Sequence, residues 1–171
     1  VLAVLLTLRV CWLLLKRENQ ILKAYNYILE NFSDQHLDDV IQIERLSNPT
    51  PWKEETFKSV LSSRTLSFVI IKEKIIGFCI ATKVLNECHL QNICVLPDYR
   101  KMGVGKNILE ILNKRCKIHE LKKIILEVRE SNSGAQAFYT KSGFNKIGLR
   151  KDYYQLGNQR EPAVLMSQIL V

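Results

Sequence analysis

The chain has 171 residues and a mass of 19.8 kDa, room for one domain of ordinary size and hardly for two. Apolar residues make up 47% and charged residues 25%, which excludes a disordered or fibrous chain. Lys and Arg outnumber Asp and Glu by 25 to 17, and the resulting net charge of +8 points to a polyanionic partner: nucleic acid, acidic lipid or a phosphate-rich cofactor.

The charge is concentrated. Residues 1–24 carry +3 and residues 100–123 carry +6, so the remainder is nearly neutral. Five cysteines (Cys11, Cys79, Cys88, Cys94, Cys116) are odd in number and scattered, and no two of them are separated by only two residues. They argue against a zinc site or disulfide framework and fit small core hydrophobes in a reducing cytoplasm.

Val1–Leu15 is apolar except for Thr7 and Arg9, and Lys16-Arg17 follow. A spanning helix needs roughly 20 apolar residues, and a central Arg costs roughly 2.5–3.5 kcal/mol. A secretory signal would place its positive charge before the apolar run. An interfacial or docked helix, or upstream sequence read in frame, is favoured over a membrane anchor. Residues 1–24 are therefore expected to be an extension, with the folded domain spanning 25–171.

Asp34–Leu46 sets Leu37, Val40, Ile41 and Glu44 at helical spacing behind Ser33 or Asp34 as a cap. Thr50-Pro51 then predicts a second helix to about Ser62, with Phe57, Val60 and Leu61 inward. Asn48–Trp52 becomes an interhelical loop bearing an aromatic. Three strand-like runs follow: Leu66–Lys72, Ile75–Leu85 and Cys88–Val95. After Pro97 the period changes, and Gly105–Lys117 carries a helical stripe of Ile108, Leu109, Ile111 and Leu112. Lys123–Val128 is a short β-branched strand. Asn132 caps a helix to about Lys141, which Gly143 stops. Phe144–Tyr153 and Ala163–Leu170 are two last strands around a polar loop at Gln155–Glu161. The fold class is mixed α+β. His36, His89 and His119 have no partner pattern and are expected on the surface or in strands.

The segment with the clearest chemistry is Asn92–Lys106, NICVLPDYRKMGVGK. A strand passes through Pro97 into Arg100-Lys101-Met102-Gly103-Val104-Gly105, and a helix begins at once. Glycines allow close approach of a ligand, and the first helical turn presents free N–H groups to an anion. Arg100, Lys101 and Lys106 add charge where a pyrophosphate would lie. It is not a P-loop, which needs Gly at position 100 and Ser or Thr at 107, where Arg100 and Asn107 stand. It is not a dinucleotide fingerprint either, because Ile108 replaces the third glycine.

Arg100-x-x-Gly103-x-Gly105 resembles the acetyl-CoA loop of the GNAT acetyltransferase superfamily. Leu126–Arg129, Ser131-Asn132, Ala135, Phe138-Tyr139 and Gly143-Phe144 extend the likeness. Pro51-Trp52, Tyr153-Tyr154 and the apolar last strand are similar to the branch that acetylates ribosomal-protein alanine N-termini in bacteria. The likeness covers about residues 32–171. It implies a mostly antiparallel sheet of six to seven strands flanked by about four helices. Two positions depart from the pattern: Leu96, where Asp is common, and Pro162 after Glu161, where Asp is usual.

The resemblance implies a role for each matching residue. Acetyl-CoA would be the co-substrate, its pantetheine arm pairing with Ile93, Cys94 and Val95. Its phosphates would lie on Arg100, Lys101, Met102, Gly103, Val104, Gly105 and Lys106, with Asn132 nearby. Glu127 would be the general base and Tyr139 the general acid. Taken alone, Glu127 reads as a solvent-facing residue or an ion-pair partner of Arg129, and Tyr139 as a core aromatic. Trp52, Tyr153, Tyr154 and the Gln155–Glu161 loop would receive the acceptor, the N-terminal alanine of small-subunit ribosomal protein eighteen. Other N-termini, lysines or small amines are alternative acceptors, and a non-catalytic acyl-CoA-binding module is the alternative class. A covalent role for Cys94 is disfavoured. A monomeric cytoplasmic enzyme without metal, membrane or direct nucleic-acid contact is the expectation.

Overall fold

A computed structural model describes residues 26–61 and 65–170; the apolar run Val1–Leu15 lies outside them. The strands are β1 (Ile28–Asn31), β2 (Phe68–Ile71), β3 (Ile75–Val84), β4 (Glu87–Val95), β5 (Lys123–Arg129), β6 (Asn145–Leu156) and β7 (Gln159–Ile169). The helices are α1 (Leu37–Ser47), α2 (Glu54–Leu61), α3 (Val104–Ile118) and α4 (Ser133–Lys141), with single 3-10 turns at Asp34–His36 and Pro97–Tyr99. The strands form one seven-stranded sheet in the order β1-β2-β3-β4-β5-β7-β6. Among its strand pairs only β4–β5 is parallel.

Alternation along the central strands gives the sheet two apolar faces. On one face Ile76, Cys79, Leu90, Ile124, Leu126 and Val128 pack with Ile108, Ile111 and Leu112 of α3 and Tyr139 of α4. On the other, Val69, Phe78 and Ile80 meet Val40 and Ile43 of α1 and Phe57 of α2. Phe57, Phe68, Phe78 and Phe144 are essentially fully buried, each contributing roughly 1.5–3 kcal/mol. The helices α1 and α2 cover only the first strands, so the outer face of β5, β7 and β6 stays open beside them.

The expected α+β order is present, with three corrections. β1 was not anticipated; it pairs antiparallel with β2, Ile28 opposite Ile71. The second helix starts at Glu54, three residues past Pro51, because the loop is held by its own hydrogen bonds to Glu44. The polar stretch Gln155–Glu161 is mostly strand: Tyr154 pairs with Glu161, Gln155 with Arg160 and Leu156 with Gln159, turning at Gly157 (φ +58°). Asn132 does cap α4, accepting from Ala135 N at 3.0 Å, and Gly143 ends it with φ +91°.

Three irregularities shape the site. In β4, Leu90 pairs with Ala81 and Asn92 with Ile80, leaving Gln91 as a bulge. The β4–β5 ladder stops at Leu90–Leu126, although β4 continues to Val95 and β5 to Arg129. Past that point the two parallel strands separate. In β6 the register slips between Arg150 and Tyr154. Pro162, between the partners Glu161 and Ala163, sits opposite this slip, where no ladder N–H is needed.

Candidate active site

The gap between β4 and β5 is the centre of the site. β4 turns Ile93 and Val95 toward the α3 face and Cys94 toward the α1 face. Opposite them Gly77 leaves no room for a side chain, since a Cβ there would stand 2.9 Å from the Cys94 carbonyl oxygen. Gly105 is similarly tight, with its Cβ position 3.3 Å from Phe138 Cζ and 3.9 Å from Val95 Cγ2. The chain then runs through Lys101 (φ +61°) and Gly103 (φ +84°) into Val104. No side chain caps this helix start and no acidic residue lies in its first turn. Its N–H groups, with Arg100, Lys101 and exposed Lys106, form an anion-facing end. Arg100 Nε donates to Val95 O at 3.1 Å, tying the loop to the strand end. Met102 is 59% exposed at the tip.

The basic run divides along α3. Arg115 and Lys117 lie in the last turn of this 15-residue helix, about 20 Å from its start. Arg115 donates to Leu66 O at 3.3 Å and stacks on the Phe68 ring, and Lys123 pairs with Glu87 at 2.8 Å. Only Arg100, Lys101 and Lys106 of the run stand at the loop.

On the open face beside α2 lies a groove of about 580 Å³, walled by Trp52, Gln91, Glu127, Arg150, Tyr153 and Tyr154. Alternation along β5 directs Ile124, Leu126 and Val128 into the α3-side core and leaves Ile125 and Glu127 on the groove. Trp52 is seated on Phe57, ring centroids 5.3 Å apart. Glu127 pairs with Arg150 at 2.8 Å instead of with its neighbour Arg129. A hydrogen bond from Tyr153 to Glu127 raises that phenol above its ordinary value. Tyr154 Oη donates to the Glu127 carbonyl at 3.1 Å, and burial followed by the Glu127 charge pushes it up to about 12. Tyr153 and Tyr154, at the end of the β6 slip, pack perpendicular to each other at 4.9 Å and 85°.

Arg129, not anticipated as a site residue, fastens the groove walls together. It pairs with Glu161 of β7, donates to Thr50 Oγ1 in the α1–α2 loop, reaches Gln155 O at 3.3 Å, and lies 4.5 Å from the Tyr154 ring centroid. Ser131 N donates to the other Glu161 oxygen at 3.2 Å. These bonds hold the Glu161 carboxyl below its ordinary value, Arg129 contributing most. The partners are 79 and 32 residues away in the chain, so no local pattern announces them.

Tyr139 lies on the opposite side of the sheet from Glu127. It is 8% exposed, packed between Phe138 and Phe144, and burial raises its phenol far above the ordinary range. Cys94 faces α1, where its thiol donates to Glu44 Oε2 at 3.2 Å; burial and the Glu44 charge push it strongly upward. A thiol so held is not a nucleophile at neutral pH. Among the histidines, His36 corrects the surface expectation. It is 5% exposed and its ring contacts Ser33 Oγ at 3.2 Å and Glu30 Oε2 at 3.1 Å. His89 stands on β4 along the groove, and His119 is at the C-terminal end of α3.

A strand pair opened beside an uncapped, glycine-led helix start is the arrangement of an acyl-CoA-dependent transferase, and residues 37–144 match the Acetyltransferase (GNAT) family, to which the chain belongs. It is an N-acetyltransferase of that family. The [Ribosomal protein bS18]-alanine N-acetyltransferase of Escherichia coli (strain K12) is 38% identical over 126 residues, 73% of this chain and 85% of that protein. The crystal structure of the ribosomal-protein-S18-alanine N-acetyltransferase from Escherichia coli shares the fold at a TM-score of 0.79 and 34% identity, over 84% of this chain and 94% of that one. Arabidopsis thaliana NAA60 in complex with acetyl-CoA matches in fold at a TM-score of 0.77 and 18% identity, over 84% and 98% of the two chains.

Proposed function

We propose that the protein acetylates the N-terminal alanine of ribosomal protein bS18, using acetyl-CoA as donor, Glu127 as general base and Tyr139 as general acid. The observation that carries this reading is the β4–β5 gap, with Glu127 and the groove on one face and the Tyr139 phenol on the other. The donor fits that gap. The free edge of Ile93–Val95 offers peptide groups to a pantetheine arm, and the Gly77 and Gly105 contacts keep the backbone clear of side chains. The phosphates fall to Arg100, Lys101, Lys106 and the N–H groups around Gly103, Val104 and Gly105, beside Met102. Asn132 supports the gap as the cap of α4.

Acetyl-CoA supplies an activated thioester carbonyl. An α-amine ionises at about pH 7.7–8.0, so Glu127 has only a weakly held proton to remove. Arg150 orients that carboxylate. Tyr139, kept protonated by burial, donates toward the departing sulfur. Trp52, Tyr153 and Tyr154 enclose the first residues of the acceptor. The acetyltransferase domain spans residues 25–171, with residues 1–24 as an extension, and acts as a cytoplasmic monomer.

The test is acetylation of a peptide copying the bS18 N-terminus, beside a lysine peptide and a small amine. Turnover of the first is expected to exceed the others. Glu127→Gln and Tyr139→Phe are each expected to lower turnover about 10²-fold or more while acetyl-CoA binding stays nearly intact. Unchanged turnover in both variants removes the mechanism, and acetylation of the small amine alone moves the acceptor elsewhere.

A further inference from the structure

Glu44 is a fully buried carboxylate in the last turns of α1, facing the sheet with the apolar stripe. Its two oxygens serve different parts of the protein. Oε1 accepts from Asn48 Nδ2 at 3.0 Å and from Trp52 N at 3.2 Å, both in the segment that leads to the groove wall. Oε2 accepts from Asn92 Nδ2 at 3.1 Å and Cys94 Sγ at 3.2 Å, both on the separated end of β4. The four donors are neutral and equal in number the four lone-pair sites of a carboxylate. Removing one partner of such a network strands the others without water.

From this geometry we infer that Glu44 is a positioning residue for acetyl transfer, holding the acceptor loop in register with the donor strand. The inference rests on the proposed reading that the donor lies along Ile93–Val95 and the acceptor beside Trp52. On that reading, one oxygen fixes the wall that orients the amine and the other fixes the strand that orients the thioester. Each substrate also has contacts that Glu44 does not touch: Arg100–Lys106 for the donor, and Glu127, Tyr153 and Tyr154 for the acceptor. Loss of Glu44 therefore leaves both substrates bound and misaligns them. A misplacement of about 1 Å is enough to cost on the order of 10²-fold in rate.

The experiment uses the full chain, acetyl-CoA and the bS18 N-terminal peptide. Glu44→Gln keeps the shape but turns an NH₂ toward two donors. It is expected to lower kcat at least about 10-fold, with the acetyl-CoA dissociation constant and the peptide KM changing less than about threefold. Combining Glu44→Gln with Asn92→Asp places an acceptor opposite the new NH₂ and is expected to recover most of kcat. Asn92→Ala, the milder second variant, removes one donor, leaves the carboxylate, and is expected to lower kcat several-fold. An unchanged kcat per folded molecule overturns the inference. So does a loss that follows only the fall in Tm and is not recovered in the double variant. Wild-type protein that binds acetyl-CoA but leaves the peptide unmodified overturns the acceptor reading instead. The same kcat criterion then applies with whichever amine the wild type acetylates.

Discussion

Arg129→Met removes a guanidinium that joins three segments while keeping most of the aliphatic stem. The Arg129 and Glu161 side chains are 15% and 10% exposed, so the pair lies near the buried limit, where losing one partner costs about 3–5 kcal/mol. Allowing for the remaining exposure, and for about 0.5–1 kcal/mol from the stack on Tyr154, the expected loss is about 2–4 kcal/mol. For a domain of this size that lowers Tm by roughly 5–15 °C. Glu161→Leu is expected to cost a similar amount. The double variant should cost little more than either, with a coupling of about 1–3 kcal/mol in a thermal or urea cycle. In steady-state assays the peptide KM should rise about 10-fold, with the acetyl-CoA KM unchanged, because the clasp holds Thr50 and Gln155 and stays clear of the Arg100–Lys106 loop. Strict additivity of the two substitutions, or an equal rise in both KM values, would refute the reasoning.

Gly103→Ala forces a side chain into φ +84°, costing about 1–2 kcal/mol, and should raise the KM for acetyl-CoA several-fold while leaving the peptide KM alone. The Glu161 carboxyl lies below its ordinary 4.5 in the folded state, so its stabilisation is complete above that value and is lost as pH falls through the lower folded-state value. Tm measured from pH 7 to pH 3 should therefore fall less steeply in Glu161→Gln than in the wild type; parallel curves would contradict this. The rate kcat/KM should rise to a plateau near pH 8 as the acceptor amine loses its proton, with no decline from Tyr139 below about pH 10. An alkaline limb in that range that disappears in Tyr139→Phe would count against a protonated phenol. Cys94 should carry no acetyl group by mass spectrometry after incubation with acetyl-CoA alone; a stoichiometric adduct would reverse its assignment.

Much of the architecture is legible from periodicity. The α3 stripe and the Asn132 cap with Gly143 stop announce themselves because the physics that makes them is local. β1 does not: Ile28–Asn31 is a four-residue edge strand with no alternation of its own, and its existence depends on β2. The β6–β7 hairpin misleads for a related reason. Its outer part, Gln155–Gln159, is held by the backbone ladder, so polar composition imitates a loop. In the site, Glu127 and Tyr139 are legible only through a resemblance, because a single Glu in an apolar strand has a commoner explanation. Glu127 pairs with Arg150 instead of the nearby Arg129, which pairs with Glu161 of β7. Glu44 left a readable trace, a carboxylate on the buried stripe of α1, but the four donors that explain it come from 4 to 50 residues away.

The unpaired Gln91 sets the phase of everything after it. Because Gln91 is supernumerary, it and Asn92 face the same side, and Ile93, Cys94 and Val95 emerge with their orientations inverted relative to an uninterrupted strand. Deleting this one residue would close the bulge and leave Asn92–Val95 on the sides they already occupy, whereas drawing it into the ladder would reflect the whole strand end. The Asn92 carboxamide would enter the aromatic core, Ile93 and Val95 would be driven against the Glu44 carboxylate, and the Cys94 thiol would point across the gap. A scan of β4 should therefore find deletion of Gln91 better tolerated than a one-residue insertion between Asn92 and Ile93, which inverts the sides of Ile93, Cys94 and Val95.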